Sequence, residues 1–457
     1  MNLGPQREWR DRSVTVMGLG LQGGGVEVVR FLAARGARVT VTDQRSEALL
    51  AESLRAIADL DVRTVLGQHR VEDFSTAEVV VANPAVAPSH PLLAAARAAG
   101  AWVTSEMALF LDACPARVVA ITGTQGKSST THATARLLEE CGHRVHLGGN
   151  IGRALLGEVE LMRADDIAVV EISSYQLEAL PQPCGSVARV EAVACVNVLA
   201  DHLERHGSVE NYDAAKRRIL ELAHERTTVV LSGEDPRVSQ WRVERGRELR
   251  FGVAPGRSTG LHIADGEFRV AGTPLGRVED LRLPGAFQRA NMLAALGLSW
   301  SMGAEPAALA TAVARVSGLE HRLQDLGLFA GHRVWDNAIS TTPDSTISAL
   351  EALSAPLTLV CGGQAKNLPL EELAGVAARR ARHIVTFGGS AELLCERFRA
   401  AGARAQAAPD VERAVAAAFA AMEPGEELLF SPACASFDAY RNFGDRARAF
   451  RAALPRA

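Results

Sequence analysis

Two glycine-rich stretches have the makings of anion cradles. In GLGLQGGG, Gly18, Gly20 and Gly23 carry the G-x-G-x-x-G spacing of a dinucleotide-binding turn. Further along, TGTQGKSS supplies Gly123 and Gly126, whose backbone amides can approach phosphate oxygens. Lys127 would neutralise the β and γ phosphates, and the Ser128 hydroxyl would face Mg²⁺. The second loop is a shortened P-loop, with Ile121 where the usual pattern has its first glycine. A glycine turn feeding a helix with an exposed lysine is the alternative. The order of apolar run, loop, Gly-Lys-Ser and helical pattern favours nucleotide binding.

A magnesium nucleotide needs further ligands at strand ends. Glu171 closes the run AVVEISS, and His202 follows CVNVLADH. Taken singly, each is equally well a solvated strand-end acid or a capping or surface histidine; their succession beside a P-loop favours a site. Asp43, closing ARVTVTD, equally suits the ribose of a dinucleotide.

Parallel strands must aim these groups. SVTVMG, GVEVVRFLAARG and ARVTVTD read as a βαβ unit, and AEVVVANPAV and AWVTSE as later strands of one sheet. ARVVAITG runs into the second loop and then into the helical KSSTTHATARLLEECG; DIAVVEIS and AVACVNVL continue that sheet. Residues 245–283 lack clear pattern and suggest a small antiparallel excursion before the helix FQRANMLAALGLSW. The pattern then resets, with HRVWDN, PLTLVCGG, HIVTFGG and ELLFSPA as strands between alanine-rich helices. The expected fold is α/β in three domains. These are an N-terminal Rossmann-like parallel sheet (1–112), a central P-loop ATPase-like domain (113–316) and a C-terminal Rossmann-like domain (317–457).

Composition narrows the functions. A chain of 457 residues exceeds a single ordinary core, and a net charge of −4 gives no basic footprint for nucleic acid. Aromatic residues at 5% are too few for base-stacking platforms. The polar start MNLGPQREWRDR and the lack of a run of about 18 apolar residues predict neither secretion nor membrane insertion, hence a cytoplasmic protein. Seven cysteines without a C-x-x-C pair predict neither a zinc site nor a disulfide framework.

TGTQGKSSTT, GGNIG, EISSYQLE, DHLERHGSVENYDAAK, GLEHRL and SPACASFDAYRNFGDRARAF occur in one order along the chain. In this order they resemble the Mur ligases, ATP-dependent amino-acid ligases of peptidoglycan precursor synthesis. The last segment is characteristic of the glutamate-adding branch. The resemblance implies that ATP phosphorylates the carboxylate of a UDP-sugar-linked alanine and that the amine of glutamate attacks the acyl phosphate.

It also implies roles for single residues. Gly123, Thr124, Gln125, Gly126, Lys127, Ser128 and Ser129 would cradle ATP, with Asn291 at the adenine and Arg322 near the nucleotide and the glutamate. Ser128 and Glu171 would hold one Mg²⁺ and His202 a second. Lys216, carbamylated, would support the metals; otherwise it is one of three successive basic residues on a solvated helix face. Lys127, His202 and Lys216 would form the catalytic set. Gly20, Leu21, Gln22, Asp43, Gln44, Arg45 and Asn83 would face the UDP, and Asn150, Ser173, Ser174 and Gln176 the muramoyl-alanyl part. Lys366, Ser436 and Phe443 would hold glutamate. The partners are then small molecules, with no nucleic acid, and the protein a monomer.

Three segments depart from the family pattern. FQRAN replaces a His-Asn start, leaving Gln288 beside the adenine; WDNAIS has Asn337 and Ile339 for Asp and Lys, with Asp336 one place off; NPAV replaces Ser-Pro-Gly. Competing readings are an NAD oxidoreductase, which leaves the P-loop unused, a regulator that has lost catalysis, and a ligase for L-glutamate or another amino acid.

Overall fold

The computed structural model describes residues 9–21, 23–182, 187–254, 260–365 and 368–455. Gln22 and Lys366 lie outside the described residues. Three sheets carry the chain. The first comprises β1 (Ser13–Met17), β2 (Arg38–Asp43), β3 (Arg63–Leu66), β4 (Val79–Ala82) and β5 (Trp102–Thr104) in the order β3-β2-β1-β4-β5, parallel throughout. Its order reverses between β1 and β4, so a crevice opens at their carboxyl ends, where the Gly18 loop lies.

The second sheet holds β6 (Arg117–Thr122), β7 (Val145–Gly149), β8 (Ile167–Glu171), β9 (Val190–Cys195), β10 (Thr228–Ser232), β11 (Arg247–Gly252), β12 (Leu261–Ala264), β13 (Glu267–Val270) and β14 (Thr273–Arg277). Its order is β14-β13-β12-β11-β10-β9-β6-β8-β7. The middle strands are buried on both faces, which is why DIAVVEIS reads as an unbroken apolar run. The antiparallel excursion expected over 245–283 begins only at β12, because β11 still pairs in parallel with β10. Two tight turns make the reversals: Asp265 and Gly266 have φ of 52° and 75°, and Ala271 and Gly272 have 46° and 86°. Both central positions at positive φ match the right-handed twist of hairpin strands.

The third sheet holds β15 (Gln324–Phe329), β16 (His332–Asp336), β17 (Leu357–Gly362), β18 (Ala381–Phe387), β19 (Ala405–Ala408) and β20 (Glu427–Ala433) in the order β15-β16-β20-β17-β18-β19. Only β15 runs antiparallel to its neighbour among these described strands.

The chain divides into two compact units. One holds the first two sheets, leaving at Leu281 and resuming over Arg289–Val316; the other holds Arg282–Gln288 and the described residues from Ser317 on. Residues 282–288 thus group with the C-terminal sheet, since Gly318 packs on Leu283 and Gly285 on Ala352. The first two sheets share one apolar cluster, running from Trp9, Val16 and Leu32 to Val118, Leu156 and Leu231. Among the described residues no helix is long and apolar enough to cross a membrane.

An acid lies within that first unit. Glu106 opens the helix Glu106–Ala113, and burial, then the charge of Glu27, pushes its pKa up to about 7. The folded protein therefore binds this proton more tightly than the unfolded chain, so stability falls as pH rises from the ordinary carboxylate range through 7. Glu106→Gln removes that loss. Urea denaturation should show the variant gaining on wild type by roughly 2 kcal/mol between pH 5 and pH 8. A pH-independent difference would place the carboxyl in ordinary solvent.

Candidate active site

At the carboxyl ends of the first sheet, the glycine loop bends through Gly18, Gly20 and Gly23, with φ of 94°, 70° and 85°. The helix Gly24–Ala34 starts directly behind it. Asp43 ends β2 almost fully buried; its carboxylate accepts the Gly20 amide at 3.2 Å and the Arg45 amide at 2.9 Å, with the Arg45 guanidinium at 3.5 Å. Asn83 packs on the same loop, its Cβ 3.0 Å from where a Gly18 Cβ would sit. Leu21, Gln44 and Arg45 are exposed around it. The NPAV turn is held from the helix Leu203–His206: Arg205 donates to the carbonyls of Ala85 (2.9 Å) and Val86 (3.2 Å) and pairs with Glu178 at 2.9 Å.

The second loop follows β6 and feeds the helix Lys127–Glu140, with Gly126 at φ 77° as its N-cap. A Cβ on Gly126 would collide with the Asn291 carboxamide, so glycine there allows Asn291 to sit against the loop. Gly123 is packed under Val196 in the same way. The Lys127 ammonium folds back to donate to Thr124 O at 2.8 Å. Ser128 is buried one residue on, and Ser129 is partly exposed.

Asn197 braces this loop, a role sequence reading missed. Its Oδ1 accepts the amides of Thr124 (3.0 Å) and Gln125 (2.9 Å), while its Nδ2 donates to Gln125 O at 3.0 Å. The Thr124 hydroxyl meets the Tyr212 hydroxyl at 3.1 Å and accepts the Leu199 amide at 3.0 Å. Only the position of Asn197 just past a strand end hinted at this.

Lys216 is not on a solvated face. It is 1% exposed, donates to Gly123 O at 2.6 Å and lies 4.7 Å above the Tyr212 ring. Burial first, and the nearby Lys127 charge second, push its pKa down to about 7. Glu171 is also 1% exposed. Its Oε1 accepts from Asn150 at 2.7 Å, but its Oε2 has no partner. Ser173 and Gln176 form the capping box of the helix Ser174–Glu178, and Ser174 Oγ lies 3.2 Å from His206 Nε2. His202 adopts φ 50° and stays 47% exposed in its side chain, between Asp201 and Glu204 at 3.5 Å each.

In the other unit, Ser436 is 2% exposed and Phe443 37% at the start of the helix Phe443–Ala453. Arg322 lies partly exposed just before β15. The residues of the departing loop are internal: Asp336 is fully buried, bound to His321 at 2.8 Å and Arg451 at 2.9 Å. Asn337 accepts the Leu323 amide at 3.0 Å and donates to Ser431 at 3.0 Å. Gln288 is buried.

Three family models match in succession: the Mur ligase MurD-like N-terminal domain over residues 12–105, the Mur ligase middle domain over 121–299 and the Mur ligase glutamate ligase domain over 321–434. The chain belongs to the Mur ligase family. Among its relatives is a protein of Geobacter metallireducens named UDP-N-acetylmuramoylalanine--D-glutamate ligase, 36% identical over 96% of both chains. A protein of the same name from Roseiflexus sp. is 35% identical over 95% of this chain and 97% of its own. The fold is similar to that of UDP-N-acetylmuramate-alanine ligase MurC from Thermotoga maritima (TM-score 0.59, 19% identity, 96% and 98% of the two chains). It is also similar to MurF from Acinetobacter baumannii (TM-score 0.61, 13% identity, 97% and 90%).

The donors of this Mur ligase suit a magnesium ion at one point. Glu171 Oε2 is a buried carboxylate oxygen with no hydrogen-bond partner, and such an atom is costly unless a ligand completes it. No three His, Cys, Asp or Glu side chains converge as a metal cage among the described residues.

Proposed function

We propose that this Mur ligase uses ATP to join D-glutamate to UDP-N-acetylmuramoyl-L-alanine, forming ADP and phosphate through an acyl phosphate. The full-length similarity to relatives bearing that ligase name supports the reading. In it, the Gly18 loop and Arg45 hold the diphosphate of the UDP-sugar, so the first glycine loop does not serve NAD. Asp43 is bound to the loop amide and Arg45 rather than left for a ribose.

Phosphoryl transfer asks mainly for placement and charge neutralisation. Gly126, Gln125 and Asn291 place the nucleotide, and Lys127 at the helix N-terminus meets the charge of the transferring phosphoryl group. Ser128 and Glu171 would hold Mg²⁺, with His202 and carbamylated Lys216 supporting a second ion; bound there, Mg²⁺ neutralises the phosphate oxygens. Asn150, whose Nδ2 donates to Glu171, would meet the muramoyl-alanyl part of the acceptor together with Ser173, Ser174 and Gln176. Lys366, Ser436, Phe443 and Arg322 receive the amino acid, whose carboxylates call for cationic and hydroxyl donors. The enzyme acts in the cytoplasm as a monomer.

Phosphate release from ATP with UDP-N-acetylmuramoyl-L-alanine should require D-glutamate, and L-glutamate should give no more than background. Dependence on L-glutamate would overturn the chirality and keep the chemistry. Release in neither arm would overturn the ligase reading and favour a regulator.

A further inference from the structure

Among the described residues, the largest fully buried side chain is a cation, Arg446, at 0% exposure. It projects from the helix Phe443–Ala453. Its Nη1 donates to the carbonyls of Cys434 (2.9 Å), Ala435 (3.1 Å) and Gly362 (3.3 Å), and its Nη2 to that of Ala338 at 3.2 Å. These carbonyls lie at or just beyond the carboxyl ends of β16, β17 and β20. Such ends form the ligand crevice in parallel α/β sheets.

Two observations set this guanidinium apart from an internal staple. No carboxylate lies within ion-pair distance of it among the described residues, whereas Asp336 nearby in sequence to the Ala338 contact has both His321 and Arg451. Its Nε has no hydrogen-bond partner either. Carbonyl dipoles satisfy the donors in part, and Asp438 acts on the charge only from beyond ion-pair distance, so no carboxylate pairs with it. A buried ion of this kind is costly, and an apolar side chain of the same length would pack the core more cheaply. A charge kept there at such a cost has most to offer a ligand of opposite charge. The Ala435 carbonyl also accepts the Gln364 amide at 2.9 Å in the bridge between Gln364 and Ala435, one residue before Ser436.

We propose that Arg446 is a positioning residue for the acidic amino acid: it holds the three strand-end segments together and lends the pocket a positive potential without touching the substrate. The inference rests on the reading that this unit receives glutamate. It does not depend on which residues make the direct contacts.

Two substitutions separate charge from bracing. Arg446→Lys keeps the charge and shortens the fork; Arg446→Gln keeps a donor and removes the charge. At saturating ATP and UDP-N-acetylmuramoyl-L-alanine, KM for D-glutamate should rise about 3-fold in the lysine variant and about 20-fold in the glutamine variant. KM for ATP and for the UDP-sugar should stay within about twofold of wild type. An unchanged KM for glutamate in a folded variant, equal rises in both variants, or equal rises for all three substrates would overturn the proposal. If Arg446→Gln does not fold, the lysine variant alone decides, through the rise of one KM against the constancy of the other two. Wild-type protein without glutamate-dependent turnover would instead refute the ligase reading, so the two failures are distinguishable.

Discussion

Lys127→Ala should lower kcat by about 100- to 1,000-fold, the range for removing one charge stabiliser from a transition state. The size follows from position. Lys127 is the first residue of the helix that continues β6, so its ammonium and the helix N-terminus converge on one point. In the folded protein that ammonium rests on Thr124 O, within the loop, already close to where phosphates would lie. Little reorganisation is needed for it to meet the transferring group. Because the side chain is partly exposed, its loss should leave thermal unfolding nearly unchanged. Stopped phosphate-release assays and ADP titration calorimetry make the check. A kcat within about threefold of wild type would remove Lys127 from the chemistry, whereas a normal kcat with weakened ADP binding would make it a binding residue only.

How much of this was legible in the sequence depended on how local the determinants were. The two glycine loops were legible because strand, turn and helix are contiguous, and the positive φ of Gly18 and Gly126 is a property of glycine itself. The parallel sheets followed from apolar runs separated by helical patterns. The common core of the first two sheets was not legible, since an apolar run does not say which neighbouring layer buries it. The brace on the P-loop was hidden for another reason: Asn197 lies over 70 residues from the amides it holds, Gln125 being 72 away.

The departing WDNAIS loop shows the same limit from the other side. Asn337 and Ile339 looked like losses when set against a family pattern. In the folded unit Asp336 instead joins His321 and Arg451, the latter 115 residues away, and Asn337 ties the loop to Ser431, 94 residues away. Short polar side chains at a strand end carry no sign of such partners. Arg446 was legible only as one arginine among many in an arginine-rich helix, and its burial comes from the three strand ends it meets.

Lys216→Ala should cost about 100-fold in turnover, and millimolar formate or acetate should restore part of it. A buried lysine beside Lys127 has reason to shed its charge, and its pKa near 7 makes a large fraction neutral at physiological pH. A neutral amine is the form that attacks carbon dioxide. The Nζ lone pair forms the new bond to carbon, the amine gives one proton to solvent, and a carbamate anion results. That anion would exchange cation-cation repulsion with Lys127 for attraction, and would supply the oxygen donors that Glu171 alone cannot. Loss of the side chain also orphans Gly123 O and leaves a cavity, so some thermal destabilisation will accompany the variant whatever its chemistry. Rescue separates the two effects, because a small carboxylate can replace a carboxylate-like group but cannot rebuild a lysine's packing. Wild-type activity should likewise fall in carbon dioxide-depleted buffer and return with bicarbonate. Full activity in depleted buffer, or a Lys216→Ala variant that no carboxylate improves, would leave Lys216 as a cationic brace on the P-loop and nothing more.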